Sequence, residues 1–151
     1  MEAVMVNPFV EGTLYILDTT AAVKVKPGQP FVKKHGKAAG DISGVLTVSG
    51  DISGTAAVSF TEQSILGVVS AMFGEEMTRI DEEITDAVGE IGNMISGHVT
   101  TKITEMGRSV KVKLLDVITG EGHDIGHAEG KRVLVIPFRT TKGKVVVEVA
   151  F

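Results

Sequence analysis

There is no cysteine among the 151 residues, so disulfides, thiolate zinc sites and cysteine nucleophiles are excluded. No apolar run approaches the roughly 20 residues that a membrane-spanning helix requires. The segment from Met1 to Pro8 has neither a basic stretch nor a cleavage signal, and a cytoplasmic location is the expectation. Excess positive charge is missing as well. The formal net charge is −4, which argues against nucleic acid or an anionic membrane as the main partner. Basic residues concentrate only at Lys24, Lys26, Lys33, Lys34 and Lys37, a cluster that reads as solvated loop and strand-edge surface. No linker or low-complexity segment divides the chain. Hydrophobic residues at 43% and charged residues at 23% suit a single folded domain over residues 1–151.

What is present is a succession of periodic segments. Asn7-Pro8 reads as a cap followed by a first-turn residue, and Phe9, Val10, Thr13, Leu14 and Leu17 keep helical spacing over residues 7–19. Residues 21–32 alternate around Pro27-Gly28, which predicts a strand that turns. Gly40-Asp-Ile-Ser-Gly44 recurs as Gly50-Asp-Ile-Ser-Gly54. Both copies lack the lysine and the following helix of a phosphate loop, so they read as turns flanking two strands, Val45–Val48 and Thr55–Phe60. A helix follows over Glu62–Phe73, with Gly74 placed to end it, and a longer one over Asp81–Met106. Three strands finish the chain at Val110–Ile118, Arg132–Phe138 and Lys144–Phe151. The order predicts an α+β architecture: two layers, a mixed or antiparallel six-stranded sheet with three helices on a face, built as a weak helix-βββ pseudo-repeat.

The long helix carries the clearest pattern. Ile84, Val88, Ile91, Ile95, Val99, Ile103 and Met106 are separated by threes and fours, and at about 100° per residue they form one apolar face. Gly92 shares that sector, where it would let a strand approach closely. Asp86, Glu90, Asn93 and Gly97 fall in the opposite sector, only about 60° wide. On geometry alone a solvated helix face is the plainer reading, since polar stripes are the rule on surface helices. Two features oppose it. No lysine or arginine stands on that side, and a glycine at an exposed helical position costs on the order of 1 kcal/mol against alanine. Gly97, with Gly89 near the stripe's edge, would clear a surface for a close-docking partner.

The run Asp86-Ala-Val-Gly-Glu90-Ile-Gly-Asn93-Met-Ile-Ser-Gly97 closely resembles the D/S-x3-E-x2-N motif of the CheC/CheX/FliY family of chemotaxis phosphatases. Asn7-Pro-Phe-Val, Gly40-Asp-Ile-Ser-Gly44, Asp116–Gly122 and Ile136-Pro-Phe with Val145–Phe151 resemble the CheX branch in particular, so the likeness runs along nearly the whole chain. The resemblance implies a CheC-like fold and removal of the phosphoryl group from the phosphorylated aspartate of a CheY-type response regulator. Asn93 would orient the attacking water and Glu90 would pair with the partner's lysine. Asp86, Gly89 and Gly97 would belong to the docking surface. The Mg²⁺ would belong to the response regulator, with no cofactor or metal held by this chain. Two-site members of the family carry a second E-x2-N on the first helix. Here Glu11 is followed by Leu14 in place of asparagine, which implies one site per chain. The resemblance also implies a homodimer whose sheets join, with the apolar strand Val145–Phe151 a candidate for edge pairing.

The remaining signals are weaker. His123 and His127 lie in the glycine-bounded stretch Gly120–Gly130 and read as solvated loop histidines rather than metal ligands. His98 reads as a helix-surface histidine. No Ser-His-Asp set has supporting context. Two other functions stay open at this stage: a non-catalytic module that binds a response regulator through the same helix, and a metal-binding sensor built on the His123 loop. Retention of both Glu90 and Asn93 favours the enzyme, because docking alone has little need of a carboxamide.

Overall fold

In the computed structural model, residues 3–33 and 36–151 are described, and the first helix, α1 (Ala3–Ala21), begins earlier than Asn7-Pro8 suggests. Pro8 lies inside it. Met5, Val6 and Phe9 are buried in the core, and burying such side chains contributes about 1.5–3 kcal/mol each. That outweighs the roughly 3 kcal/mol cost of a helical proline, so Asn7 is an exposed helical residue rather than a cap.

The next segment does not turn back on itself. β1 (Val25–Pro27) and β2 (Phe31–Val32) both pair antiparallel with β6 (Leu134–Thr140), in registers offset by one residue. They form one interrupted edge strand, and Pro27 and Pro30 sit where a missing donor is tolerated. Of the expected basic cluster, Lys24, Lys26 and Lys37 are exposed, the side chain of Lys33 is buried, and Lys34 lies outside the described residues.

β3 (Ile42–Gly50) and β4 (Gly54–Phe60) make a hairpin. The second Gly-Asp-Ile-Ser-Gly copy supplies its turn, whereas Ile42, Ser43 and Gly44 of the first copy are already strand. The aspartate of each copy fastens a neighbouring element. Asp41 Oδ2 accepts from Glu62 N–H at 2.7 Å, and Asp51 Oδ2 accepts from Ser109 N–H at 2.8 Å.

α2 (Glu62–Phe73) starts at the N-cap Thr61 and ends at Gly74 in the left-handed conformation, φ 71°. α3 (Glu82–Glu105) is capped by Asp81, whose side chain accepts from Ile84 N–H at 3.1 Å. β5 (Val110–Thr119) and β7 (Gly143–Ala150) complete the sheet.

The sheet order is β1-β6-β7-β4-β3-β5, with β2 beside β6 and every pairing antiparallel. It reads the same from either end. If β1/β2, β3 and β4 are the first half's strands and β5, β6 and β7 the second's, each half's first strand pairs with the other's second. The third strands meet in the middle. α1 and α3 precede the two halves, so the helix-βββ repeat is real, with α2 an insertion. One expectation fails here: β7, the apolar last strand, is interior, flanked by β6 and β4, and the free edges are β5 and β1/β2.

The three helices cover one face over a core that includes Phe9, Leu17, Leu46, Phe60, Ile95 and Phe138. α1 and α3 run antiparallel: Val4, Asn7 and Glu11 line a shallow depression together with Lys102, Glu105 and Met106. The other face carries the small apolar cluster Ala38, Val45, Ala57 and Ile125, under the loop between β5 and β6. No helix among the described residues is long and apolar enough to cross a membrane.

Candidate functional site

α3 is a helix with two faces, and the fold uses both. Ile84, Val88, Ile91, Ile95, Val99 and Ile103 are all buried. Met106, expected to extend that face, is exposed because the helix ends one residue before it. Gly92 is buried with the side chain of Leu114 against it, and a Cβ there would come within 2.9 Å of Leu114 Cδ1. That glycine sets how closely α3 lies on β5.

Asp86, Glu90, Asn93 and Gly97 are exposed in an unbroken line on the opposite side. Eleven residues of rise make the line about 16 Å long. Glu90 and Asn93, three apart, are neighbours on the helix surface with Cβ atoms roughly 5–6 Å apart. Among the described residues no hydrogen bond or ion pair engages Asp86, Glu90 or Asn93, so both functional groups are free for a partner. A depression of about 620 Å³ lies elsewhere, lined by Gly28, Phe31, Pro137, Arg139 and Lys144 among others. Glu90 and Asn93 instead stand exposed on the outer side of a helix. Such a surface suits a macromolecule that brings its own pocket, not a small substrate.

The two flanking glycines differ. A Cβ at Gly97 would meet nothing within 4 Å, so no packing among the described residues demands glycine there. Gly97→Ala is therefore expected to raise thermal stability by about 1 kcal/mol, readable as an increase in the denaturation midpoint. Gly89 is half-buried, and its Cβ direction meets Leu114 and Val117 of β5 at 3.6 and 3.7 Å. It faces the sheet edge at the flank of the line rather than the open surface.

Two groups of polar side chains escaped the sequence reading, both on the helix-free face. His127 is not solvated: Nε2–H donates to Glu148 Oε1 at 2.8 Å, and Nδ1 meets the Thr55 hydroxyl. Glu148 is 1% exposed and also pairs with Lys33 Nζ at 3.1 Å through both oxygens. Burial pushes the Glu148 carboxyl up, but the His127 hydrogen bond and the Lys33 charge outweigh it and hold the carboxyl below its ordinary value. His123 is not free either. Its Nδ1–H donates to the Gly120 carbonyl at 2.6 Å, and Nε2 lies 2.6 Å from the Ser43 hydroxyl, which in turn meets Ser59. The two histidines take separate partners, pinning the β5–β6 loop to the sheet. No three His, Asp or Glu side chains among the described residues are grouped to hold a metal ion. The available signal was an acid in the otherwise apolar run Val145–Ala150.

The family comparison adds to this geometry. The model of the family described as chemotaxis phosphatase CheX matches residues 42–139, which includes the whole of α3. The chain belongs to the CheX family. The CheY-P phosphatase CheX of Thermotoga maritima is 30% identical over 121 residues, which cover 80% of this chain and 78% of that one. The crystal structure of a CheC-like superfamily protein from Shewanella sp. PV-4 superposes with a TM-score of 0.91 at 33% identity, over 99% of this chain and 98% of that one. The same fold, at a TM-score of 0.76 and 22% identity over 96% of each chain, occurs in a CheX-CheY-BeF3-Mg²⁺ complex from Borrelia burgdorferi. The α+β architecture with an antiparallel sheet and three helices is thus that of the CheC-like superfamily.

Proposed function

We propose that this CheX-family chain hydrolyses the aspartyl phosphate of a CheY-type response regulator, with Asn93 and Glu90 as the residues that act on the partner. The observation carrying the reading is the co-facial Glu90–Asn93 pair, exposed on α3 and without a side-chain partner among the described residues. The name of the Thermotoga relative and the partner in the Borrelia complex support it.

An acyl phosphate in a receiver domain already lies in a polar site with a divalent ion that neutralises developing charge, so the phosphatase mainly supplies position. The Asn93 carboxamide enters that site. Its oxygen accepts a hydrogen bond from water and its NH₂ group can donate, and it takes no proton itself. The water oxygen attacks phosphorus in line, the bond from phosphorus to the aspartyl oxygen breaks, and inorganic phosphate and a free carboxylate leave. Glu90, one turn earlier, pairs with a lysine of the receiver and fixes the register. Asp86, at the N-terminal end of the line, contributes charge to docking. The Mg²⁺ is the receiver's, and this chain needs none of its own.

The test is phosphate loss from phosphorylated receivers with Mg²⁺ present. Wild type should accelerate it for at least one CheY-type receiver, and unchanged decay across all of them would sink the proposal. We further infer a homodimer joined along β5, because Pro27 and Pro30 interrupt the β1/β2 edge whereas β5 is a ten-residue edge free of proline, bulged once at Leu115, whose side chain is 63% exposed. Light scattering should give twice the 15.9 kDa chain mass, and Leu115→Asp should give the monomer. A monomeric wild type would refute the pairing.

A further inference from the structure

We infer that Tyr15 and His98 form a shelf beside the phosphatase face that sets affinity for the receiver domain, an inference that rests on the function proposed above. Tyr15, the one tyrosine in the chain, stands 47% exposed on the outer side of α1. Its ring lies over the His98 imidazole of α3 with centroids 5.0 Å apart and planes tilted by 30°. His98 directly follows Gly97 but is turned about 100° round α3 toward α1, so the pair flanks the Asp86–Gly97 line on its α1 side.

The chain makes room for this contact. A Cβ at Gly12 would lie 3.3 Å from His98 Cδ2 and 3.4 Å from Val99 Cγ2, and its absence lets the imidazole lie between the two helices. The Tyr15 hydroxyl and both ring nitrogens of His98 have no hydrogen-bond partner among the described residues. A rigid, half-exposed aromatic pair with unused polar ends is a composition concentrated in protein interfaces, because it buries large area at little conformational cost. A receiver seated with Asn93 in its phosphorylation site must spread beyond a single helix, and α1, packed beside α3, presents this pair on that flank. The shelf therefore reads the receiver's surface next to the phosphorylation site and leaves the chemistry to Asn93.

The experiment compares wild type, Tyr15→Ala and Tyr15→Phe in two measurements: steady-state dephosphorylation of a phosphorylated CheY-type receiver with Mg²⁺, and binding of the same receiver loaded with beryllofluoride. Tyr15→Ala should raise KM and Kd about tenfold, the scale of one interface anchor, with kcat within about twofold. Tyr15→Phe should recover most of the loss. An unchanged KM and Kd in Tyr15→Ala overturns the shelf, as does a fall in kcat without a rise in Kd. Wild type that binds without turnover refutes the phosphatase while the two Kd values still judge the shelf. Wild type that neither binds nor turns over any receiver refutes both.

Discussion

Asn93→Ala is expected to lower the catalysed rate of phosphate loss at least a hundredfold while leaving the fold intact. Positioning of a reactant contributes on this scale, and misplacing a reacting group by about 1 Å costs roughly a hundredfold. The substitution removes the one group proposed to hold the water and touches nothing else. Asn93 is exposed and its side chain has no partner among the described residues, so its loss leaves no cavity and no orphaned buried group. Exposed substitutions away from special features usually change stability by less than about 0.5 kcal/mol. Glu90→Ala should act differently, raising KM more than it lowers kcat, because the partner proposed for it is the receiver's lysine rather than the water. Single-turnover assays over a range of enzyme concentrations separate the two. Hydrolysis that persists in Asn93→Ala would spare the activity and refute the role.

The largest effect on stability is expected at a residue with no part in the chemistry. Glu148→Gln should destabilise the protein by about 3–5 kcal/mol, because it leaves the Lys33 ammonium buried without its counter-charge. For a chain of this size that corresponds to a fall of the thermal midpoint on the order of 10 °C. The contrast within the same molecule is the pair Lys24–Asp18, also 3.1 Å but with side chains 83% and 51% exposed, whose removal should cost no more than about 1 kcal/mol.

A pH dependence follows from the same carboxylate. Its folded pKa is depressed, so its contribution is fully present above the ordinary carboxylate range and disappears as pH falls through the depressed value. Denaturant titrations at descending pH should show wild type losing stability more steeply than Glu148→Gln. Parallel slopes would mean that Glu148 is not the titrating group.

α3 was legible before any coordinates because everything that defines it is local. A 3.6-residue period assigns faces wherever the helix sits, so the buried isoleucines and the exposed line Asp86, Glu90, Asn93 and Gly97 are properties of residues 84–106 alone. The caps Thr61, Gly74 and Asp81 are local in the same sense, set by hydrogen bonds spanning three or four residues. Asn7-Pro8 misled because a cap signal of about 1 kcal/mol competes with the burial of Met5 and Val6, and burial depends on what α1 packs against.

Strand position has no comparable local signature. β7 is apolar because it is central, yet an apolar last strand reads equally well as an edge. Only the pairing of the two halves, third strand to third strand, puts it in the middle. That pairing also turns Glu148 from a surface acid into a buried ion, by bringing to it Lys33 from 115 residues away and His127 from a loop that looks solvated. Tyr15 and His98 meet for the same reason, far apart in the chain on two helices that only the fold makes neighbours. Helical periodicity alone settles which face of α3 is exposed. The tertiary structure decided what stands beside that face and what is locked beneath the sheet, because those contacts depend on distances that no periodicity encodes.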